Sequence, residues 1–383
     1  MEKLIIRNDK LRPLRQRHPW IFAGAVKKRP DHPQTSIAEV CDEQGNSLAY
    51  GFYSHSDQLV CKLFHFGAFP TSGFGKTFWK NKLLEAKKLR DSLPDFEQTD
   101  TYRLCHAEAD GIPGLVADVY GGSCLSIQTT AAAHLELLPL WHEIFAEMGF
   151  TSLFHRHGKE TGGQWIWPHS GPLLCRENGL LFPADPESGQ KTGFFIDQRD
   201  NRSIIRRFST GKKVLNAFSY SGGFSVYAIA GGAREVVSVD ISADACRLAE
   251  ASVKGNFPRF QQHTCITADC FEYLRQMPQD FDLIVLDPPA FAKNRTSVDK
   301  AARGYKEINL QALRKIKSGG ILASFSCSQH ISRDLFQKIL FAAALDAGRE
   351  VNILQVLGQP ADHPVSLFHP EGDYLKGLLL YVV

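Results

Sequence analysis

The chain has 383 residues, of which 43% are hydrophobic and 22% are charged, a balance typical of folded proteins with two or three domains. No apolar run reaches the roughly 18–20 residues that cross a bilayer, and the charged N-terminus lacks the apolar segment of a signal peptide. These patterns favour a cytosolic protein without a membrane partner. The nine cysteines, an odd number without C-x-x-C spacing, argue against a disulfide framework and a zinc ribbon, and no metal site is predicted.

Charge is distributed unevenly along the chain. Residues 1–90 hold 16 Lys and Arg against 8 Asp and Glu, a net charge of +8, and the remaining residues carry −5. A local positive excess is a footprint of polyanion binding, here a nucleic acid, although a solvated surface explains it equally well. The candidate phosphate contacts are Arg12, Arg15, Arg17, Lys27, Lys28, Arg29, Lys76, Lys80, Lys82, Lys87 and Lys88.

The first two blocks of the chain have different patterns. Residues 1–68 contain short alternating segments between turns, for example 38–41 and 59–64, which predicts a small β-barrel. Residues 69–180 are predicted to form a small α+β domain. It begins with a basic helix whose apolar residues recur at helical spacing from Trp79 and ends with a hairpin over Asn178-Gly179.

Residues 181–383 alternate apolar strands with helical segments. The predicted strands cover 214–217, 236–239, 265–267, 283–286, 321–325 and 378–383. Strands that are apolar on both faces and separated by helices are typical of a parallel sheet covered on both sides. The fold class is therefore α/β with a Rossmann-like domain, and ligands are expected at the carboxyl ends of its strands.

A cofactor site is predicted at the first three strand ends. The turn 218–224 contains glycines that allow a ligand close to the backbone, and Asp240, at the end of the second strand, is placed to bind ribose hydroxyls. Asp269, after the third strand, could bond an adenine amine beside Phe271. NAD is the rival ligand, but the G-x-G-x-x-G pattern is absent, so S-adenosylmethionine is favoured. Both carboxylates could instead simply cap helices.

The next two strand ends carry candidate catalytic residues. The fourth strand ends at Asp287, followed by two prolines that direct the chain stiffly away from the sheet, and Phe291 is available to stack on a base. The fifth strand ends at Cys327, between two serines. A Cys327 thiolate that adds to C6 of a pyrimidine would make C5 reactive, whereas a buried, inert cysteine is the simpler alternative.

Longer strings of residues accompany these motifs along nearly the whole chain. They are 18–22, 108–118, 189–199, 201–202, 216–224, 287–293, 326–328, 362–364 and 374–376. In these residues the chain resembles the bacterial 23S ribosomal RNA cytosine-C5 methyltransferases with an N-terminal PUA domain. The resemblance implies a PUA domain, a small α/β linker domain and a class I methyltransferase domain with a mainly parallel seven-stranded sheet. It also implies S-adenosylmethionine as cofactor and 23S rRNA as partner, and it suggests a homodimer.

The resemblance also implies roles for particular residues. It makes Cys327 the nucleophile, places Asp287 at the edge of the base, and adds Gln198 and Arg199 to the cofactor site. The expected cofactor contacts are Gln198, Arg199, Asn216, Phe218, Ser219, Tyr220, Gly222, Asp240, Ile241, Asp269, Cys270 and Asp287. The expected substrate contacts are Pro288, Phe291, Lys293, Arg12, Arg15 and Arg17.

Two other functions remain open, as does one chemical step. A guanine base-nitrogen methyltransferase would use the same D-P-P-x-F frame without a nucleophilic cysteine. A non-catalytic RNA-binding assembly factor would keep the fold and lose cofactor binding. The segment 290–293 has no second cysteine, so the acceptor of the C5 proton stays open between Asp287, Lys293 and water.

Overall fold

The computed structural model describes residues 1–32, 34, 36–94, 97–158, 162–187, 189, 192–292 and 294–383. The chain divides into two compact units. The N-terminal unit comprises Met1–Gly179, Ala184–Ile196 and Ala361–Gly372, and the C-terminal unit comprises Leu180–Pro183, Asp197–Pro360 and Asp373–Val383. Within these described ranges, no helix combines the length and the apolar character needed to cross a membrane.

The N-terminal unit begins with a six-stranded sheet. Its elements are β1 (Glu2–Ile6), α1 (Arg12–Arg15), β2 (Trp20–Phe22), β3 (Val26–Lys28), β4 (Ile37–Cys41), β5 (Ser47–Tyr53) and β6 (Leu59–Phe66). The strands lie in the order β2-β6-β5-β4-β1-β3; β1 and β4 pair in parallel, and the other neighbours are antiparallel. Alternate residues such as Leu4, Ile6 and Val40 form a core beneath the sheet.

A second sheet, of five strands, completes the N-terminal unit. The elements of this region are α2 (Lys76–Asp91), β7 (Tyr102–His106), β8 (Leu115–Tyr120), β9 (Cys124–Thr129), α3 (Ala133–Glu136), α4 (Leu138–Glu147), β10 (Ser152–His157), β11 (Gln164–Trp167) and β12 (Leu174–Glu177). The sheet has the strand order β11-β10-β9-β8-β7, and β12 lies outside it. Helix α2 forms as predicted because Trp79, Leu83 and Ala86 place one apolar stripe on the core. The Phe52 ring of the first sheet stacks on Trp79 at 5.5 Å, so both sheets share one core.

The C-terminal unit is built on a seven-stranded sheet. Its elements are β13 (Leu180–Pro183), α5 (Arg199–Arg207), β14 (Lys213–Ala217), α6 (Gly223–Ala230), β15 (Glu235–Asp240), α7 (Ala243–Asn256), β16 (His263–Thr267), α8 (Cys270–Gln276), β17 (Phe281–Leu286), α9 (Val298–Lys315), β18 (Ile316–Ser326), α10 (Arg333–Ala347), β19 (Val351–Leu357) and β20 (Lys376–Val382). The order is β16-β15-β14-β17-β18-β20-β19. The first five strands pair in parallel, and β20 runs antiparallel to both neighbours. The predicted Rossmann-like α/β fold is confirmed.

Two strands of this sheet differ from those predicted from the sequence. The strand β19 was not predicted, because its pairing register shifts between Ile353 and Gln355 and most of its residues are exposed at the sheet edge, which removes a regular alternation. The strand β18 begins at Ile316 rather than 321, and Gly319 and Gly320 interrupt the apolar pattern there. Neither difference moves the carboxyl ends of the central strands, where ligands are expected.

Candidate active site

The turn between β14 and α6 is strained. Phe218 and Tyr220 have positive φ angles of 60° and 44° although both carry aromatic side chains. A positive φ costs a residue other than glycine about 1 kcal/mol or more, and such outliers cluster at ligand sites. Gly222 also has a positive φ, and an added Cβ would lie 2.8 Å from the Cβ of Ala249 on α7. The predicted glycine turn is therefore present, and close packing against α7 fixes its shape.

Asp240 holds this turn from the end of β15. Its carboxylate accepts hydrogen bonds from the backbone N–H groups of Tyr220 and Ser242, each at 2.9 Å. The adjacent Ile241 is 70% exposed, and the buried Ser219 hydroxyl has no hydrogen-bond partner among the described residues. An exposed apolar side chain beside a carboxylate and an unused hydroxyl suits a ligand with a planar ring and a ribose. These residues fit the adenosine part of S-adenosylmethionine.

The side chains of Asp269 and Cys270, which follow β16, form hydrogen bonds within the protein. One oxygen of Asp269, Oδ1, accepts bonds from two backbone N–H groups of α8 at 2.8 and 3.1 Å, so Asp269 caps that helix. The Cys270 thiol accepts a bond from the Phe218 N–H at 3.3 Å and donates to a carbonyl of β15. Burial raises the pKa of Cys270 to about 12. The Cys270 side chain thus ties the turn to the sheet.

Asn216 lies in a buried chain of polar groups behind the turn. Its Nδ2 donates to Ser225 Oγ at 2.9 Å. Ser225 bonds Ser238 at 2.7 Å, and Ser238 bonds Nε2 of His263 at 2.9 Å. Desolvation lowers the pKa of His263 to about 4, so this imidazole is neutral at pH 7. The side chain of Asn216 is 1% exposed and supports the turn from inside the sheet.

The two residues that only the resemblance assigned to the cofactor site, Gln198 and Arg199, are both buried. Gln198 Nε2 donates to Asp287 Oδ1 at 2.9 Å, and Gln198 Oε1 accepts a bond from Asn201 at 2.6 Å. Arg199 Nε lies 3.5 Å from a carboxylate oxygen of Asp200. Gln198 therefore orients the carboxylate at the end of β17.

The loops after β17 and β18 are joined at their bases. The Cys327 thiol is partly exposed, and its Sγ lies 3.9 Å from the carbonyl oxygen of Pro288. Ser328 Oγ accepts a bond from the Ala292 N–H at 3.1 Å and bonds the hydroxyl of the fully buried Tyr305 at 2.9 Å. The structure thus brings together the two strand ends that carry the predicted catalytic residues.

Phe291 is engaged by neighbouring aromatic side chains. Its ring centroid lies 4.6 Å from that of Tyr305 and 5.8 Å from that of Phe271. Gly304 on α9 leaves room for this ring, since a Cβ there would approach it to 3.2 Å. Phe291 could stack on a base only through a ring face that neither Tyr305 nor Phe271 covers. Lys293, the other predicted substrate contact in this loop, lies outside the described residues.

Lys376 is a charged residue that the sequence analysis placed in a motif without a role. The antiparallel pairing of β18 and β20 sets it opposite Ser326. The side chain is buried, and Nζ donates to the carbonyl oxygens of Ser328 and Tyr374, each at 2.7 Å. Desolvation lowers the pKa of Lys376 to about 8, against the opposing influence of the Asp373 carboxylate and, after it, of Cys327. A lysine as the first residue of an otherwise apolar strand was the available sequence signal.

The predicted RNA contacts of α1 and the residues beside it are exposed. Arg12, Arg15 and Arg17 have no carboxylate within ion-pair distance in the part of the chain that the structure describes, and Arg17 lies 6.0 Å from the ring of Phe66. Further along, Lys27 pairs with Glu43, Lys28 with Asp31, and Arg29 donates to the carbonyl of His55. The three arginines therefore offer the least compensated positive charge of this segment.

The basic residues of α2 mostly have partners. Lys76 Nζ lies 2.5 Å from Glu143, and Lys80 Nζ lies 2.7 Å from Glu147, both on α4. Lys87 pairs with Asp91 at 2.7 Å one turn along its own helix. Lys82 is half-buried, and desolvation lowers its pKa, whereas Lys88 is exposed. The structure thus divides the predicted RNA contacts into paired and unpaired groups.

Two recognised motifs of the N-terminal unit meet in space. Trp20 Nε1 donates to Glu108 Oε1 at 2.9 Å, and the ring of His369 lies 4.4 Å from that of Trp20. Asp110 forms a buried ion pair with Arg90 at 2.6 Å. These contacts join the two sheets and the segment 361–372, which gives the motifs a structural function. No group of three or more metal-binding side chains occurs in the described part of either unit.

Family models match two parts of the chain. The model of S-adenosylmethionine-dependent methyltransferases matches residues 131–364, and that of the PUA-like domain matches residues 4–66. The chain is 36% identical over 397 aligned residues to ribosomal RNA large subunit methyltransferase I of Escherichia coli O139:H28 (strain E24377A / ETEC), with coverage of 100% of this chain and 99% of that protein. The protein of the same name from Escherichia coli (strain K12 / MC4100 / BW2952) gives the same identity and coverage.

Solved structures show the same fold. SMU.776 complexed with SAH superposes with a TM-score of 0.87 at 21% identity, and a structure of a protein from Streptococcus mutans superposes with 0.86 at 20%. Both matches cover 100% of both chains. The cofactor predicted from the sequence, S-adenosylmethionine, is confirmed by the family match. The chain belongs to the family of S-adenosylmethionine-dependent methyltransferases that includes ribosomal RNA large subunit methyltransferase I, and its N-terminal residues form a PUA-like domain.

Proposed function

We propose that this enzyme acts in the cytosol and methylates C5 of a cytosine in 23S ribosomal RNA, with Cys327 as the nucleophile. The observation that carries the proposal is the partly exposed Cys327 thiol at the end of β18, 3.9 Å from the carbonyl oxygen of Pro288. The full-length similarity to enzymes named ribosomal RNA large subunit methyltransferase I supports ribosomal RNA as the substrate. The PUA-like domain and the exposed arginines beside it support RNA contact.

Cytosine C5 needs activation before it can accept a methyl group. In the proposed reaction, the Cys327 thiolate forms a bond to C6, and the electron pair of the C5–C6 double bond moves to C5. S-adenosylmethionine, when bound, supplies an electrophilic methyl group. C5 would attack the methyl carbon, the sulfur–methyl bond would break with its electron pair kept by sulfur, and S-adenosylhomocysteine would be left. C5 would then lose its proton to a base. The C–H electron pair restores the double bond, and the S–C6 pair returns to sulfur as the thiolate leaves.

The neighbouring residues would orient the base for this attack. The Asp287 carboxylate can accept a hydrogen bond from the cytosine 4-amino group, and Gln198 keeps that carboxylate in place through its 2.9 Å bond. The target base must be unpaired or flipped out, because a thiolate cannot reach C6 inside a stacked helix. Asp287, Lys293 and water are the candidate acceptors of the C5 proton.

The cofactor would lie at the neighbouring strand ends. We assign Asp240 to the ribose hydroxyls, Ile241 to one face of the adenine, and the backbone of the strained turn at Phe218 and Tyr220 to the remaining polar atoms. The exposure of Ile241 and the unused hydroxyl of Ser219 support this assignment. Asp269 and Cys270 would then contribute to the site indirectly, because their side chains stabilise the backbone that lines it.

A covalent trap tests the chemistry. The protein is incubated with S-adenosylmethionine and 23S rRNA that contains 5-fluorocytidine, because fluorine at C5 cannot leave as a proton and the enzyme stalls on the RNA. We expect a denaturation-resistant adduct with the wild type and with Cys265→Ala, which removes the other partly exposed cysteine, and no adduct with Cys327→Ala.

The other outcomes reassign the function. If Cys327→Ala forms no adduct and still methylates unsubstituted rRNA at the wild-type rate, the chemistry belongs to a base nitrogen. The D-P-P-x-F frame at Asp287 would then act alone. If calorimetry detects no binding of S-adenosylhomocysteine by the wild type, the protein is an RNA-binding factor without transferase activity.

A further inference from the structure

The buried ammonium group of Lys376 lies beside the strand end that carries Cys327. We propose that Lys376 is a positioning residue whose positive charge stabilises the thiolate form of Cys327. This inference rests on the proposed function, in which that thiolate is the nucleophile. It assigns a purpose to a buried charge that packing alone does not require.

The strand register sets the position of Lys376. Lys376 is the direct partner of Ser326 in the antiparallel pair of β18 and β20, and Cys327 is the next residue after Ser326. The Lys376 Nζ then bonds the carbonyl oxygen of Ser328 at 2.7 Å. The side chain therefore spans the tripeptide that has Cys327 at its centre.

The hydrogen bonds of Lys376 leave capacity for an anion. An ammonium group has three N–H donors, and in the described part of the unit the carbonyl oxygens of Ser328 and Tyr374 accept two bonds from them. With 3% of the residue exposed, water contributes little to solvation of this charge. A buried cation is costly unless a negative group compensates it, and the Cys327 thiolate is such a group.

The other charged groups around Lys376 are already paired or neutral. Asp373, just before β20, receives two bonds from the Arg333 guanidinium of α10, each at 2.7 Å. Tyr305 on α9 is buried, and desolvation raises the pKa of its hydroxyl, so it is neutral. The negative charge of Asp373 is therefore largely compensated by Arg333. Asp373 and, after it, Cys327 are the groups whose negative charge favours the charged form of Lys376, and Asp373 is shared with Arg333.

A cation at this place has a direct chemical effect. A nearby opposite charge lowers the pKa of an acid, and a free cysteine has a pKa of about 8.5. Since the thiolate is the attacking species, the charge would raise its fraction at neutral pH. The pKa of Lys376 itself is about 8, so the assistance would fade as pH rises above that value.

The test measures the Cys327 thiol directly and contains no RNA. The full chain is alkylated with iodoacetamide between about pH 5.5 and 10, and the rate at the Cys327 peptide is followed by mass spectrometry. Cys265 serves as the internal reference, because it is also partly exposed and burial raises its pKa. We expect a wild-type midpoint below about 8.5. For Lys376→Met we expect the midpoint to rise by about 1–3 pH units, with alkylation at pH 7 slowed about tenfold or more.

Two further measurements distinguish an electrostatic role of Lys376 from a purely structural one. Lys376→Arg retains the charge and should keep the low midpoint, which a purely structural role of the lysine amine would not predict. If Lys376→Met binds S-adenosylhomocysteine normally and leaves the midpoint unchanged, the inference is wrong. If Lys376→Met does not fold, the wild-type midpoint decides, and a value at or above about 8.5 overturns the proposal.

The alkylation assay and the covalent trap can fail independently. A trapped RNA adduct together with an unchanged alkylation profile in Lys376→Met would reject the role of Lys376 and leave cytosine-C5 chemistry intact. A shifted profile without any adduct would support the charge effect on Cys327 and reject its use in C5 methylation.

Discussion

At the carboxyl edge of the C-terminal sheet, Asp240, Asp287 and Cys327 lie at or directly after the ends of parallel strands. Strand pairing therefore fixes where each side chain lies. The basic residues of the N-terminal unit have no such constraint. Lys76 and Lys80 of α2 form ion pairs with carboxylates on α4, whereas the arginines on α1 are exposed. Topology therefore determines the position of a strand-end residue, whereas the availability of a surface charge depends on neighbours that are distant in sequence.

The strained turn after β14 should give the largest effect on stability. Gly222→Ala adds a Cβ at 2.8 Å from that of Ala249, at a φ of 76°, and should lower the free energy of unfolding by about 3 kcal/mol, from strain and overpacking together. Gly348→Ala is the matched control, because it has a similar φ of 66° and no atom within 4 Å. It should cost about 1 kcal/mol. Urea unfolding followed by circular dichroism measures both, and equal losses would show that close packing at Gly222 is unimportant.

Replacing the carboxylates at two neighbouring strand ends separates ligand binding from helix capping. Asp240→Ala removes the proposed ribose contact and the two bonds that hold the turn. It should weaken binding of S-adenosylhomocysteine by about 30–100-fold, equivalent to about 2–3 kcal/mol. Asp269→Ala removes a helix cap and should lower stability by about 1 kcal/mol while affinity changes less than about threefold. Titration calorimetry and thermal unfolding measure the two quantities, and a large affinity loss in Asp269→Ala would establish an adenine contact.

Reversing two charges at each basic site tests the comparison within the N-terminal unit. Arg12→Glu with Arg15→Glu should weaken binding to a 23S rRNA fragment about tenfold and reduce the slope of log affinity against log salt by about 1–2. Lys76→Glu with Lys80→Glu changes the net charge equally but replaces paired lysines. Its RNA affinity should change less than about threefold, while repulsion from α4 lowers stability by about 1 kcal/mol. Filter binding across a potassium chloride series gives both slopes, and equal losses would refute the distinction between paired and unpaired charge.

Much of the fold and part of the site could be predicted from the sequence, for physical reasons. Apolar periodicity follows directly from burial, so the strands that lead to Asp240, Asp287 and Cys327 were identified with their order along the chain. Lys376 was not given a role, because its importance depends on the pairing of β20 with β18, which joins residues far apart in sequence.

The sequence patterns also could not predict which contacts each side chain makes. Asp269 has a residue type that suits a ligand or a helix cap, and only its two bonds to α8 favour the cap. Phe291 was expected to be available for stacking, but its ring contacts Tyr305 and Phe271. Local sequence therefore indicates which residues reach the site, and packing decides which atoms remain accessible to a ligand.

The smallest effect on stability is expected from His263, in the buried chain of polar groups behind the turn. This effect depends on pH. Desolvation lowers the pKa of His263 in the folded state to about 4, whereas an unfolded histidine titrates near 6.5. As pH falls from about 6.5 to 4, the unfolded state takes up the proton first, so stability decreases over this window and is fully retained above it. After allowance for partial exposure of the ring, the loss at pH 5 should be about 1 kcal/mol. His263→Gln keeps a polar group near Ser238 without a titrating ring, so the difference between its urea midpoints at pH 7 and pH 5 should be smaller than that of the wild type. Equal differences would mean that His263 is solvated well enough to accept a proton in the folded protein, and the chain that supports Asn216 would then be open to water.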